Sequence, residues 1–139
     1  MTSAASVTVP ALKPRPLRAR DIAKFLASYK EAWETRNADL AASLFTRDAR
    51  YQQNPFEEPI VGREAIHDAW NTANKRHEEI HFTVRNYSRS GFLLFVEWSS
   101  VYRDATSGKR GQLAGMFLAD FYGKQVRTLR EYRHSRTVS

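Results

Sequence analysis

A chain of 139 residues and 16.0 kDa is the length of one domain, enough to bury a single core. It has no cysteine, which excludes disulfides, thiol nucleophiles and zinc–thiolate centres and suits a reducing cytoplasm. The net charge of +7 sits at the ends (Lys13, Arg15, Arg18 and Arg20; then Lys124, Arg127, Arg130, Arg133 and Arg136 against Glu131) around a nearly neutral body, which argues against a nucleic-acid-binding face.

No apolar run is long enough to span a bilayer. Residues 1–20 lack the continuous apolar core of a secretory signal. Pro10, Pro14 and Pro16 would break the amphipathic helix of a transit peptide. This stretch reads as a disordered basic tail, with the folded domain over residues 21–136.

Asp21 is placed to cap a first helix, in which Ile22, Phe25, Leu26, Tyr29 and Trp33 form an apolar stripe. Asn37 or Asp39 can cap a second, short helix carrying Leu40, Leu44 and Phe45. "RDARYQQ" reads as a strand, followed by the proline-bearing loop "QQNPFEEPIVGREAI". A third helix after Gly62 runs to Glu79, with Ala65, Ile66, Ala69, Trp70 and Ala73 on one stripe.

From Ile80 the period changes to two. "IHFTVRNYS" and "GFLLFVEWSSVYRD" are strands turned at Ser90–Gly91, and "QLAGMFLADFY" and "VRTLREYRHS" are strands turned at Gly123–Lys124. The loop "ATSGKRG" joins the two hairpins, with Gly108 and Gly111 free to take positive φ. Helices first and a strand meander afterwards make an α+β fold. Three helices held in a strongly curved mixed or antiparallel sheet form a cone, hollow and apolar inside, whose mouth lies near the Gln52–Ile66 loop.

Tyr29 and Trp33 in "YKEAWETRNADLAASLFTRDA", the "PF" and "P..G.EAI" of the loop, Gly115 in "LAGMF" and the final "REYRH" follow one another in an order that resembles the SnoaL-like branch of the nuclear transport factor two (NTF2-like) superfamily. The resemblance runs from about Asp21 to Arg136. It implies a cone-shaped small-molecule pocket bordered by the proline loop. Ketosteroid isomerases of this superfamily use a carboxylate before a proline in that loop, a helix tyrosine and a protonated acid on a later strand. Tyr29 matches the tyrosine, but Asn54 stands at the base position and Met116–Phe117 at the later acid. An amide accepts no proton at neutral pH, so the isomerase mechanism is not expected. Limonene epoxide hydrolases carry an acid on the last strand, where Glu131 falls, but their Arg-x-Asp pair is replaced near Trp98-Ser99-Ser100.

Glu131 is the leading candidate for chemistry. Strand alternation puts it on one face with Leu129. If that face is internal, burial raises its pKa and suits it to acid–base work; otherwise it is a rim acid paired with Arg133 or Arg127. Tyr29 either donates to a ligand oxygen or packs. The expected pocket lining is Trp33, Asn54, Phe56, Trp98 and Leu129, with Asn54 also able to cap its own loop.

Parity groups Leu94, Val96 and Trp98 on one face of their strand and Phe95, Glu97 and Val101 on the other, without saying which is internal. If the second is external, its apolar residues suggest a homodimer through the outer sheet face. His67, His77, His81 and His134 show no metal-ligand spacing and read as surface histidines. No cofactor motif is present: "GKRG" is too short for a phosphate loop. Two readings follow: a protein binding an apolar or partly polar metabolite, or a cofactor-independent acid–base enzyme (isomerase, cyclase, dehydratase or hydrolase) using Glu131.

Overall fold

A computed structural model describes residues 16–138. The expected tail at residues 1–15 lies outside the described residues. Leu17 is already buried in the core, and the first helix, α1 (Ala19–Glu34), starts ahead of Asp21. Asp21 is therefore a first-turn residue: its carboxylate accepts the Arg18 backbone N–H at 3.2 Å, as suits an acid near a helix N-terminus. The folded region thus begins before residue 21. Ile22, Phe25, Leu26, Tyr29 and Ala32 form the buried stripe of α1.

Asn37, not Asp39, caps α2 (Ala38–Ser43), its side chain accepting the Leu40 N–H at 2.9 Å. Phe45 leaves that helix and opens β1 (Phe45–Gln52). The reason is tertiary: Phe45 pairs with Val126, and the Val126 N–H donates to the Leu44 carbonyl at 2.8 Å. A two-residue strand absent from the sequence reading, β2 (Ile60–Val61), pairs antiparallel with β1 inside the proline loop.

The third helix, α3 (Arg63–Arg76), buries Ile66, Trp70 and Asn74 and stops short of Glu79. His77 is captured by pairing with Asp104, so β3 (His77–Ser90) starts there. A bulge follows, with Glu79 at φ 51, and one extra residue at such a bulge re-aims the side chains after it. The remaining strands are β4 (Leu93–Asp104), β5 (Arg110–Tyr122) and β6 (Gln125–Thr137). In the β4–β5 loop Gly108 takes positive φ (+72), but Gly111 does not. At Gly111 the Tyr102 ring packs over the backbone: an added Cβ would lie 2.4 Å from it, so the ring would have to move.

The six strands run in the order β2-β1-β6-β5-β4-β3. β1 and β6 are parallel and the other neighbours antiparallel, giving the α+β arrangement of three helices on a curved mixed sheet. Strand pairing sorts the inner face into rows. Leu94, Ala119 and Leu129 form one, Val96, Phe117 and Glu131 the next, then Trp98, Gly115 and Arg133, then Ser100, Leu113 and Ser135. Each row is reached by moving two residues along every strand, which keeps the same face. Burial settles the parity left open in the sequence: Leu94, Val96 and Trp98 point inward, while Glu97 is exposed.

The interior is less hollow than expected. Phe25 meets Phe121 edge-on at 5.0 Å between ring centroids, Tyr29 meets Trp70 at 5.6 Å, and Phe82 stacks on Trp98 at 5.3 Å. Edge-on and offset rings fill space well. The first two contacts fill the closed end of the cone, and the Phe82–Trp98 stack borders the volume left open beside Glu131.

Candidate functional site

That volume is a cavity of about 350 Å³, within the usual range for small-molecule sites. Its inner walls are Ile80, Phe82, Trp98, Ser100 and Glu131, all buried. Its mouth is made by Arg76, His77, Tyr102, Asp104, Arg133 and Ser135, all half-buried or exposed. The space has a local cause. Trp98 and Arg133 flank Gly115 in one row, and the next row carries two serines. Ala73 faces them from α3.

Glu131 is 3% exposed. The Tyr29 hydroxyl, from α1, donates to its Oε1 at 3.3 Å. Its Oε2 has no hydrogen-bond partner among the described residues. Neither arginine weighed against it forms a pair with it: Arg127 holds Asp120 at 3.0 Å, and Arg133 makes no ion pair among the described residues. Burial raises the Glu131 pKa to about 7, against the weaker opposing pull of the Arg133 charge, the Tyr29 hydroxyl and the Trp98 indole. Among the described residues the indole Nε1 makes no formed hydrogen bond, so its effect is that of a nearby dipole.

Two tyrosines extend the polar cluster. Tyr29 is raised well above its ordinary value, by burial first and by the Glu131 charge second. Tyr51, from β1, is raised for the same two reasons, and its hydroxyl has no hydrogen-bond partner among the described residues. At neutral pH both are neutral donors. Glu131, by contrast, sits where both its protonated and its ionised form are populated, the condition for giving or taking a proton. Tyr29 itself lies behind the carboxylate, among Phe25, Trp70, Phe82 and Phe117.

Of the residues expected to line the pocket, Trp33 and Trp98 do so. Trp33 also stacks on Trp70 at 4.3 Å. Leu129 does not: it is fully buried in the row beneath Glu131. Phe56 is 96% exposed and borders a neighbouring groove between the proline loop and Glu131–His134. Asn54 borders the same groove and spends its Oδ1 on the Phe56 N–H at 2.9 Å. The loop does reach the cavity, but through Gln53.

The sequence reading missed Tyr51, Gln53, Arg76, Ser100, Tyr102 and Arg133. His77, read as a surface residue, lines the mouth with its ring 4.0 Å from that of Tyr102. Burial and the neighbouring Arg76 lower its pKa, keeping it neutral at pH 7. A signal existed for most of these. Arg133 shares the parity of Leu129 and Glu131, and Ser100 and Tyr102 that of Trp98, so the alternation had only to be followed past the apolar residues.

The SnoaL-like domain model matches residues 25–128. No curated protein matches the chain. Among solved structures, a hypothetical protein of ketosteroid isomerase-like fold from Catenulispora acidiphila, in complex with trimethylamine, has a TM-score of 0.72 at 18% identity, covering 78% of this chain and 84% of its own. The epoxide hydrolase/cyclase-like enzyme SalBIII, of pyran ring formation in salinomycin, has a TM-score of 0.75 at 12% identity, covering 86% and 97%. An epoxide hydrolase from M. tuberculosis, described as LEH-like, has a TM-score of 0.69 at 12% identity, covering 83% and 84%. At such identities the likeness is one of fold. The matched domain ends before Glu131, so the family match is silent on that residue.

Proposed function

The chain belongs to the SnoaL-like domain family, and from that premise we propose that it is a small-molecule pocket protein whose cavity carries out proton transfer on a partly apolar metabolite, with Glu131 as the acid or base. One observation carries this reading: a buried carboxyl whose Oε2 is unpartnered faces a cavity with room for a ligand. Burying an unpaired acid costs stability, and such costs concentrate where chemistry is done. Tyr29 is a positioning residue, its hydroxyl holding one carboxylate oxygen so that the other faces the ligand. The reaction classes considered are isomerisation, cyclisation, dehydration and epoxide hydrolysis.

The test is turnover of β,γ-unsaturated ketones, β-hydroxy ketones and epoxides by wild type and Glu131→Gln. The expected result is conversion of at least one class, with a rate inflection near pH 7, falling on the order of 10²–10⁴-fold in the variant. Conversion unaffected by the substitution contradicts the role of Glu131. Binding without conversion favours the second reading, a metabolite carrier, which rests on Glu131 being the one buried carboxylate among the described residues.

The outer sheet face is the proposed homodimer surface. Met116 and Tyr132, 45% and 48% exposed, are neighbours across β5 and β6, and exposed Val101 lies further along β4, opposite Gln112. Exposed apolar patches of this kind commonly seat a second copy. Light scattering is expected to give twice the 16.0 kDa chain mass; the single mass at micromolar concentration contradicts it. No described helix is long and apolar enough to cross a membrane. A cytoplasmic setting is the location proposed, and cell fractionation tests it.

A further inference from the structure

Arg76 and Arg133 come from different elements, the last turn of α3 and the inner face of β6, yet line one cavity mouth. Neither makes an ion pair or a side-chain hydrogen bond among the described residues. Arginines elsewhere in the chain find partners: Arg18 holds Asp21, Arg103 holds Glu78 and Glu79, and Arg127 holds Asp120. Other exposed arginines, Arg47, Arg50 and Arg130 among them, are also unpaired among the described residues. These two share a concavity with aromatic walls, where a guanidinium gains more from an anion than it does in open solvent.

The inward direction of Arg133 is built in. Gly115 lies directly across from it on β5, and a Cβ there would fall 2.8 Å from the Arg133 Cβ. The one acid at the mouth, Asp104, is already engaged: its Oδ1 accepts the backbone N–H groups of Thr106 and Ser107 at 2.9 and 2.8 Å.

We propose that the ligand is a carboxylic acid with an aromatic or otherwise flat apolar body, its carboxylate held at the mouth by Arg76 and Arg133 and its body lying against the walls formed by Phe82, Trp98 and Leu113, toward Glu131. A monoanion fits better than a phosphate dianion, because Asp104 and Glu131 flank the site and like charges repel at these distances. Anchoring one end at the mouth would set which atom of the body meets Glu131, so the proposal rests on the pocket reading above and narrows its substrate class.

Calorimetry with 2-naphthylacetate and the neutral 2-naphthylacetamide tests it on wild type, Arg76→Gln, Arg133→Gln and the double variant. Both arginines are exposed, and thermal melts confirm that the variants fold. Wild type is expected to hold the acid about tenfold tighter than the amide. The double variant is expected to lose that preference with the amide affinity unchanged. Equal affinities in wild type, or a preference that survives both substitutions, overturn the carboxylate inference while leaving the pocket reading intact. Failure of both compounds to bind wild type at millimolar concentration overturns the two together.

Discussion

The closed and open ends of the cone are made from the same strands and differ by a few residues per strand. At the closed end Leu94, Ala119, Leu129, Phe121 and Val126 are all buried, and aromatic rings from α1 fill what remains. Two steps along, the same inner face carries Glu131, then Gly115 and Arg133, then Ser100 and Ser135. Volume is removed and polar groups are introduced together. The closed end supplies stability by burial. The open end gives some of it up, because the buried Glu131 carboxyl and the unpartnered Tyr51 hydroxyl cost free energy that packed apolar groups would not. A site inside a sheet therefore needs no special backbone: it needs the alternation kept and the side chains changed.

If this division is right, the largest loss of stability comes from the closed end and leaves the cavity unaffected. Phe121→Ala is expected to cost about 3–5 kcal/mol in urea unfolding without changing ligand affinity. A comparable loss of affinity would mean that the two ends are not separable.

Glu131→Gln sharpens the comparison through pH. Burial raises Glu131 from 4.5 to about 7, so between those values the native state holds a proton the unfolded chain has released. The stability this contributes is full below pH 4.5 and is lost as pH rises through 7. Relative to wild type, Glu131→Gln is thus expected to gain stability across that window, by about 3 kcal/mol at most. Parallel curves for the two proteins would show that Glu131 is not the raised group.

Gly115→Ala is next in size. Its Cβ would meet the Tyr132 carbonyl oxygen at 2.3 Å and the Arg133 Cα at 2.7 Å, backbone atoms that cannot swing aside. The expected cost is about 1–3 kcal/mol, with weakened binding of naphthylacetate as β5 and β6 part. Tyr29→Phe has the smallest effect. Its hydroxyl favours the charged form of Glu131, so removing it is expected to move the Glu131 titration upward, for about 1 kcal/mol or less of stability. A downward movement would show that Tyr29 stabilises the neutral acid instead.

The fold was largely legible in the sequence because periods of 3.6 and 2 survive wherever one face is buried and the other wet. Boundaries were lost where tertiary pairing overrode local preference, as at Phe45, drawn into β1 by Val126, and at His77, drawn into β3 by Asp104. The site was legible in part. Glu131 stood out as an acid sharing parity with an apolar residue, but its contact with Tyr29 joins residues far apart in the chain that the resemblance had assigned to two different relatives. Phe56 and Leu129 were misplaced for opposite reasons. One is a loop aromatic with no face to bury, and the other is one row too deep. Which row of a strand meets the cavity depends on how far the helices and their rings fill the cone, and strand periodicity is blind to that.

The most direct test of the account is the titration of Glu131 itself, by carboxyl-carbon NMR with Glu131→Gln to identify the resonance. A midpoint near 7 would establish a buried acid poised to exchange its proton inside the cavity. A midpoint at the ordinary 4.5 would mean that water or a charge reaches the carboxylate freely, and that the open end of the cone is a solvated rim rather than a site for proton transfer.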